Sequence, residues 1–345
     1  MRKMYLVFAA CLVILTAGCG SSENDEYYED GIACMEKSEY EEAVTLMNQA
    51  IEQEERLPEA YRALGISQYE LGDNAAAIAA FSRSLNSLEN TNVEFEKDVM
   101  YYLALARKDY GEYEKAAEVY TEVLKLEKDP ETYFLRGGVY LELDDQERAK
   151  SDFDSAVEDS RDYGMYLKIY QAYADKSDTV TGEAYLQRAL ELKPKEASDY
   201  YNRGRIYYEL KDYESARGEL TEAINEGDAD AVLLLGKVYL AVDDAASARG
   251  LYQDYLKEEK NQSRAYNGLA MCDIFEKNYE NALNNIKKGL ECADAAETQS
   301  LLFNEIVVYE YMLDFETAKS KMAEYLEKYP DDMTAVRENE FLKSR

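Results

Sequence analysis

Five cysteines and no histidine stand in this chain of 345 residues. Without an imidazole there is no Ser-His-Asp or Cys-His nucleophile and no histidine-ligated zinc. Cys11, Cys19, Cys34, Cys272 and Cys292 form no CxxC pair and no metal-ligand spacing. Cys34 and Cys272 fall inside expected helices and Cys292 near a helix end, so all three read as small core residues. A Cys272–Cys292 disulfide within one hairpin stays open as an alternative. The acid pairs Asp144-Asp145, Asp243-Asp244 and Asp331-Asp332 lack EF-hand spacing and fall at or next to turns, where aspartate is favoured anyway. No glycine loop of the phosphate-cradling kind occurs. These residues predict no catalytic group, metal or cofactor.

Cys19 stands apart because of what precedes it. Arg2 and Lys3 lead into an apolar run from Met4 to Leu15, followed by Thr16-Ala17-Gly18-Cys19. A basic start, a short apolar stretch and small residues before a cut site make a secretory leader. Twelve apolar residues rise only ~18 Å as a helix, less than the ~30 Å of a bilayer core. The last four residues resemble a bacterial lipobox, except that Thr16 stands where leucine is commonest. That resemblance implies cleavage before Cys19 and a diacylglycerol on its sulfur. One acyl chain anchors marginally and two anchor stably. The expected division is a lipoprotein signal peptide over 1–18 and a lipidated cysteine with a flexible polar tether over 19–25. Ordinary cleavage with secretion is the alternative.

The formal net charge is −32, from 71 acids against 39 bases. Such a chain repels phosphate backbones, so no nucleic-acid partner is expected. Anionic headgroups repel it too, which leaves the lipid as the only membrane contact. The expected location is the cell envelope, anchored to a bacterial membrane and exposed on the extracytoplasmic side.

Behind the tether, one pattern recurs with a period of about 34 residues. A small residue is followed twelve positions later by alanine, then four beyond by a large apolar residue. Gly65, Ala77 and Phe81 show it, as do Gly137, Ala149 and Phe153, and Gly204, Ala216 and Leu220. Nine copies fill 26–332, and 333–345 reads as one more amphipathic helix capping the last apolar face. Pro58, Pro130, Pro194 and Pro330 all fall between copies, where they break no helix. Residues Asn92 to Glu96 look like an insertion in a connecting loop.

The unit resembles the tetratricopeptide repeat, which pairs an A helix with an antiparallel B helix. The resemblance implies an all-α fold: an α-solenoid of about nine helical hairpins forming a right-handed superhelix. It also explains the pattern, since Gly204 has to be small where helix B crosses helix A at the level of Ala216. Tyr170 and Ile306 replace that small residue in the fifth and ninth units, and Gly182 replaces the alanine in the fifth. Looser packing is expected in both.

In this family the A helices line a concave groove. Projected onto this chain, the groove stripe contains Arg62, Tyr69, Tyr101, Leu105, Lys108, Phe134 and Leu141, then Tyr201, Arg205, Tyr208, Leu233 and Lys237. An apolar, aromatic trough with scattered cations suits an extended or helical peptide that is partly acidic. Neighbouring repeats or the chain's own tail could instead take up part of the stripe. The family's lysine–asparagine clamp for a peptide carboxylate is not assembled, because Asn202 and Asn304 lack the paired lysines. The expected function is a non-enzymatic, membrane-anchored scaffold that binds a partner protein or peptide while a cell-envelope complex is assembled. The alternative is binding of wall glycan, with Tyr101 and Tyr201 stacking on sugars.

Overall fold

The computed structural model describes residues 25–88, 92–228, 230–257, 262–330 and 332–343, and Cys19 with its leader lies outside them. Nineteen helices and no strand occur among the described residues. None of these helices is long and apolar enough to cross a membrane. Eighteen form nine successive hairpins, written here as A and B helices.

Each turn is built by the same local rule. The residue seven positions after the small A-helix residue takes a left-handed conformation: Ser38, Gly72, Gly111, Asp144, Ser177, Lys211, Asp243, Lys277 and Leu313. The next residue starts helix B, and at Asp73, Asp145, Asp212, Asp244 and Asp314 its carboxylate accepts the backbone N–H three residues on. That carboxylate satisfies an otherwise unpaired helix N–H and favours the helix dipole. The Asp144-Asp145 and Asp243-Asp244 pairs are therefore a turn residue followed by a helix cap.

The chain divides between Tyr185 and Leu186 into two compact units. The first holds α1 (Glu26–Glu36), α2 (Tyr40–Glu52), α3 (Leu57–Glu70), α4 (Asn74–Asn86), α5 (Val93–Asp109), α6 (Tyr113–Leu126), α7 (Pro130–Glu142), α8 (Gln146–Ala156), α9 (Tyr163–Asp175) and the start of α10 (Thr179–Leu190). Its packing follows from small residues on the A helices. A methyl added at Gly65 would lie 2.5 Å from the Phe81 ring, and one at Gly137 would lie 2.7 Å from the Phe153 ring. Phe81 and Phe153 are fully buried. The side chain that needs the glycine is thus the one sixteen residues on; the alanine twelve on is buried beside it.

Two expectations need correction in this unit. Residues 93–96 are not loop: Asn92 caps α5 by accepting the Phe95 N–H at 3.2 Å, and the extra length becomes helix. In the fifth hairpin, Tyr170 does not meet a void. Gly182 lies directly against it, at a distance where an added methyl would be 3.0 Å from the Tyr170 carbonyl oxygen. Large and small have exchanged helices. Behind them Tyr173 stacks on Tyr185 at 5.9 Å, and Tyr185 meets the edge of Phe153 at 6.4 Å.

The second unit continues with α11 (Ala197–Glu209), α12 (Tyr213–Asn225), α13 (Ala231–Ala241), α14 (Ala245–Leu256), α15 (Gln262–Phe275), α16 (Tyr279–Leu290), α17 (Ala295–Tyr311), α18 (Phe315–Lys328) and α19 (Met333–Lys343). Gly204 receives Leu220 in the same way, 2.6 Å from an added methyl. Tyr252 of α14 is wedged between Gly236 of α13 and Gly268 of α15, with its hydroxyl donating to the Leu233 carbonyl at 3.3 Å. Ile306, expected to splay the ninth hairpin, is fully buried with Ala318 and Met322. The unbranched Met322 side chain fits beside the larger A-helix residue, so the pair stays closed. Ala335 and Leu342 of α19 complete that cluster with Tyr325. Asp332 ties the joint, accepting from the Tyr325 hydroxyl at 2.6 Å and from the Ala335 N–H at 3.2 Å.

The cysteines divide differently from expectation. Cys34 and Cys272 are buried and free, whereas Cys292 is exposed, its thiol near the Gly289 carbonyl at 3.5 Å. Cys272 and Cys292 are not joined. Burial pushes the Cys272 thiol up to about 11, which suits a packing residue rather than a nucleophile.

Candidate partner-binding face

Successive A helices lie against one another in each unit: α1 with α3, α3 with α5, and α7 with α9 in the first; α11 with α13, α13 with α15, and α15 with α17 in the second. Side chains on their free side therefore form continuous rows from repeat to repeat. The expected stripe residues occupy three such rows, but they differ sharply in what they are free to do.

In the first unit most of them serve the protein itself. Arg62 forms an ion pair with Asp98 of the next A helix and covers the Tyr102 ring at 5.5 Å. Tyr69 donates its hydroxyl to Asp109 at 2.5 Å. The Tyr101 hydroxyl bonds Thr132 and reaches Asp129 at 3.3 Å, and burial pushes its pKa up to about 12. Leu105 and Lys108 are half-buried. Phe134 and Leu141 are only 4% and 2% exposed, with Phe134 against Phe153 at 5.9 Å. Those two belong to the core and offer no surface to a ligand. For Arg62, Tyr69 and Tyr101 the physical reason is the same: a neighbouring repeat, absent from any one-repeat reading, reaches the row first.

Other A-helix cations of this unit are also neutralised across repeats. Lys168 pairs with Glu131 at 2.9 Å and Lys176, at the end of α9, with Glu142 at 2.7 Å, while Lys97 pairs with Glu127 at the end of its own hairpin. Inside the fourth hairpin, Arg136 holds Asp152 through two bonds of 2.7 Å. That buried pair was not foreseen, although its spacing equals the glycine-to-aromatic spacing.

The second unit differs. Tyr201, Tyr208 and Leu233 are half-buried, with Tyr208 against Tyr213 at 5.8 Å and Leu233 packed beside Tyr252. Arg205 and Lys237 are exposed. Arg205 lies over the Tyr201 ring at 5.9 Å and reaches Asn202 at 3.5 Å. Among the described residues, neither cation has a carboxylate within ion-pair distance. Further along, Asn304 donates to Asn267 at 2.7 Å, and Asn267 donates to Glu297 at 2.8 Å, linking α15 with α17. A sugar would need open tyrosine faces, and the hydroxyl of Tyr101 and the ring of Tyr201 are already engaged. Nothing in this arrangement favours the glycan reading.

Family models described as TPR or tetratricopeptide repeat match residues 31–72, 98–129, 130–162 and 168–232. The hairpins in these segments are tetratricopeptide repeats. At fold level, the tetratricopeptide array is similar to the crystal structure of yeast Tom70, with a TM-score of 0.51 at 14% identity over 94% of this chain and 68% of that one. A tetratricopeptide repeat protein from Parabacteroides merdae aligns over 72% of this chain and 98% of its own, at 18% identity and a TM-score of 0.41. Among curated proteins, the BBSome complex member BBS4 homolog of Drosophila melanogaster is 18% identical over 288 residues. That match covers 82% of this chain, which spans 54% of the relative's length. The tetratricopeptide fold supports a protein–protein interaction scaffold.

Proposed function

We propose that this chain is a non-enzymatic scaffold that binds a partner protein or peptide on the A-helix face of its repeats and is held at a membrane by lipid on Cys19. The observation that carries the binding half is the row of A helices in the second unit, where Arg205 and Lys237 face outward unneutralised beside half-buried Tyr201, Tyr208 and Leu233. The anchoring half is supported by the leader, Arg2 to Gly18, and by the chemistry of two acyl chains. Anchoring raises the local concentration of partners, so even weak contacts become useful. The division follows from this reading: leader 1–18, lipidated cysteine and tether 19–25, repeats 26–332 and capping helix 333–345. Assembly of a cell-envelope complex on the extracytoplasmic side is the role that fits both halves.

The test places a photo-crosslinking amino acid at Lys237 and, separately, at exposed Glu222 on the B helix α12, in native cells. A partner captured from position 237 and not from 222 supports the face. Equal capture from both, or capture from 222 alone, removes it. For the anchor, a clickable fatty acid should label the wild type and not Cys19→Ala; labelling that survives the substitution, or that never occurs, refutes lipidation at Cys19.

A further inference from the structure

The small residues Gly204, Gly236 and Ala270 occupy one register in α11, α13 and α15, each facing its own B helix. The residue after each lies about 100° further round the helix. Those residues are Arg205, Lys237 and Met271, and all three are exposed. They form one row across three touching helices: cation, cation, apolar.

The remaining A-helix cations of this unit are spoken for. Arg203 holds Glu219 at 2.8 Å and the Leu190 and Leu192 carbonyls at 3.0 and 2.9 Å, and Arg264 lies 3.6 Å from Glu297. In a chain of net charge −32, two adjacent cations left open to solvent are the exception on this face. Charge complementarity calls for an acidic occupant. A long polyanion is excluded by the rest of the surface, so the occupant is a short acidic stretch.

Its register follows from spacing. Packed helix axes stand about 8–10 Å apart, and an extended chain rises about 3.3 Å per residue. One residue in three therefore meets successive helices. Resting on the partner-binding reading above, we infer that the α11–α13–α15 row takes an extended protein segment bearing two acidic residues three apart, with an apolar residue three further on to meet Met271. The acids pair with Arg205 and Lys237, and the intervening side chains point to solvent or toward half-buried Leu233 and Leu240.

The test pans a random dodecapeptide display library against the mature chain. Recovered peptides are then titrated by fluorescence anisotropy against wild type, R205E/K237E and R217E/K257E. The last carries the same change in net charge on the exposed B-helix cations Arg217 and Lys257. The expected result is enrichment of acid-x-x-acid-x-x-apolar sequences whose affinity falls at least about tenfold in R205E/K237E and stays within twofold in R217E/K257E. Enriched peptides without the acid pair, or acidic peptides bound equally by both variants, overturn this inference and leave the general partner-binding reading standing. No enrichment of any sequence overturns both.

Discussion

Two adjacent glycines in α7 should respond in opposite directions to the same substitution. At Gly137, an added methyl lies 2.7 and 2.9 Å from two atoms of the Phe153 ring. That ring cannot retreat: Phe134 stands 5.9 Å away, Tyr173 5.3 Å and Tyr185 6.4 Å, and Phe153 is fully buried. Overpacking of this kind costs ~1–3 kcal/mol, and the caged ring places Gly137→Ala in the upper half of that range. Replacing glycine inside a helix returns ~1 kcal/mol, so the net loss is about 1–2 kcal/mol. At Gly138 nothing lies within 4 Å of the added methyl. Gly138→Ala therefore keeps only the helix term and gains ~1 kcal/mol. Solenoids can unfold piecewise, so the assay is hydrogen exchange over Pro130–Ala156 alongside urea unfolding. Protection should fall in the first variant and rise in the second. Movement of both in the same direction would refute the claim that the Phe153 cage, rather than helix propensity, dictates the glycine.

Gly111 has φ +88° with open space around it, so Gly111→Ala should cost ~1 kcal/mol through backbone strain alone, read as a lower urea midpoint with an unchanged slope. Leu313 adopts φ 61° while 72% exposed; Leu313→Gly should leave the ninth hairpin at least as stable, and a clear loss would show a packing role for that side chain. Asp152→Ala strips Arg136 of its buried partner and should cost ~3–5 kcal/mol, measured by calorimetry, with Arg136→Met/Asp152→Leu recovering much of it. Burial, with Glu338 of α19 beside it, raises the Glu310 carboxyl from 4.5 to about 7. The folded protein then holds a proton that the unfolded chain releases, so the contribution of Glu310 to stability is greatest below pH 4.5, falls as pH rises towards 7 and levels off above. Glu310→Gln should flatten that slope in thermal melts between pH 5 and 8, and an unchanged slope would remove Glu310 as its source.

The helical hairpins were legible because sterics leave few choices at a crossing. A residue that meets Phe81, Phe153 or Leu220 at van der Waals distance has to be glycine or alanine, and that demand repeats with the period. The turn was less legible. Its left-handed residue is glycine only at Gly72 and Gly111; at Asp144, Lys211 and Leu313 the strain is accepted where the acidic cap behind it fixes the start of helix B. The fifth and ninth hairpins were misjudged for one reason. A large residue on helix A is compensated on helix B, by Gly182 against Tyr170 and by Met322 beside Ile306, and helix A alone carries no sign of it.

The face was legible in position and illegible in availability. Periodicity places Arg62 and Arg205 on the same helical side, yet Arg62 is bound to Asp98 and Arg205 is open. What separates them is a partner 30 to 40 residues away, as in Lys168 with Glu131 and Tyr69 with Asp109. A single repeat contains no trace of such a partner, because the contact forms only when the next repeat stacks. Each cross-repeat pair stiffens the stack and at the same time removes one cation from the binding repertoire. On the A helices of the second unit, Arg203 is held by Glu219 and Arg264 lies 3.6 Å from Glu297. Arg205 and Lys237, one repeat apart on touching A helices, have no such partner among the described residues, and it is there that an outside carboxylate gains most.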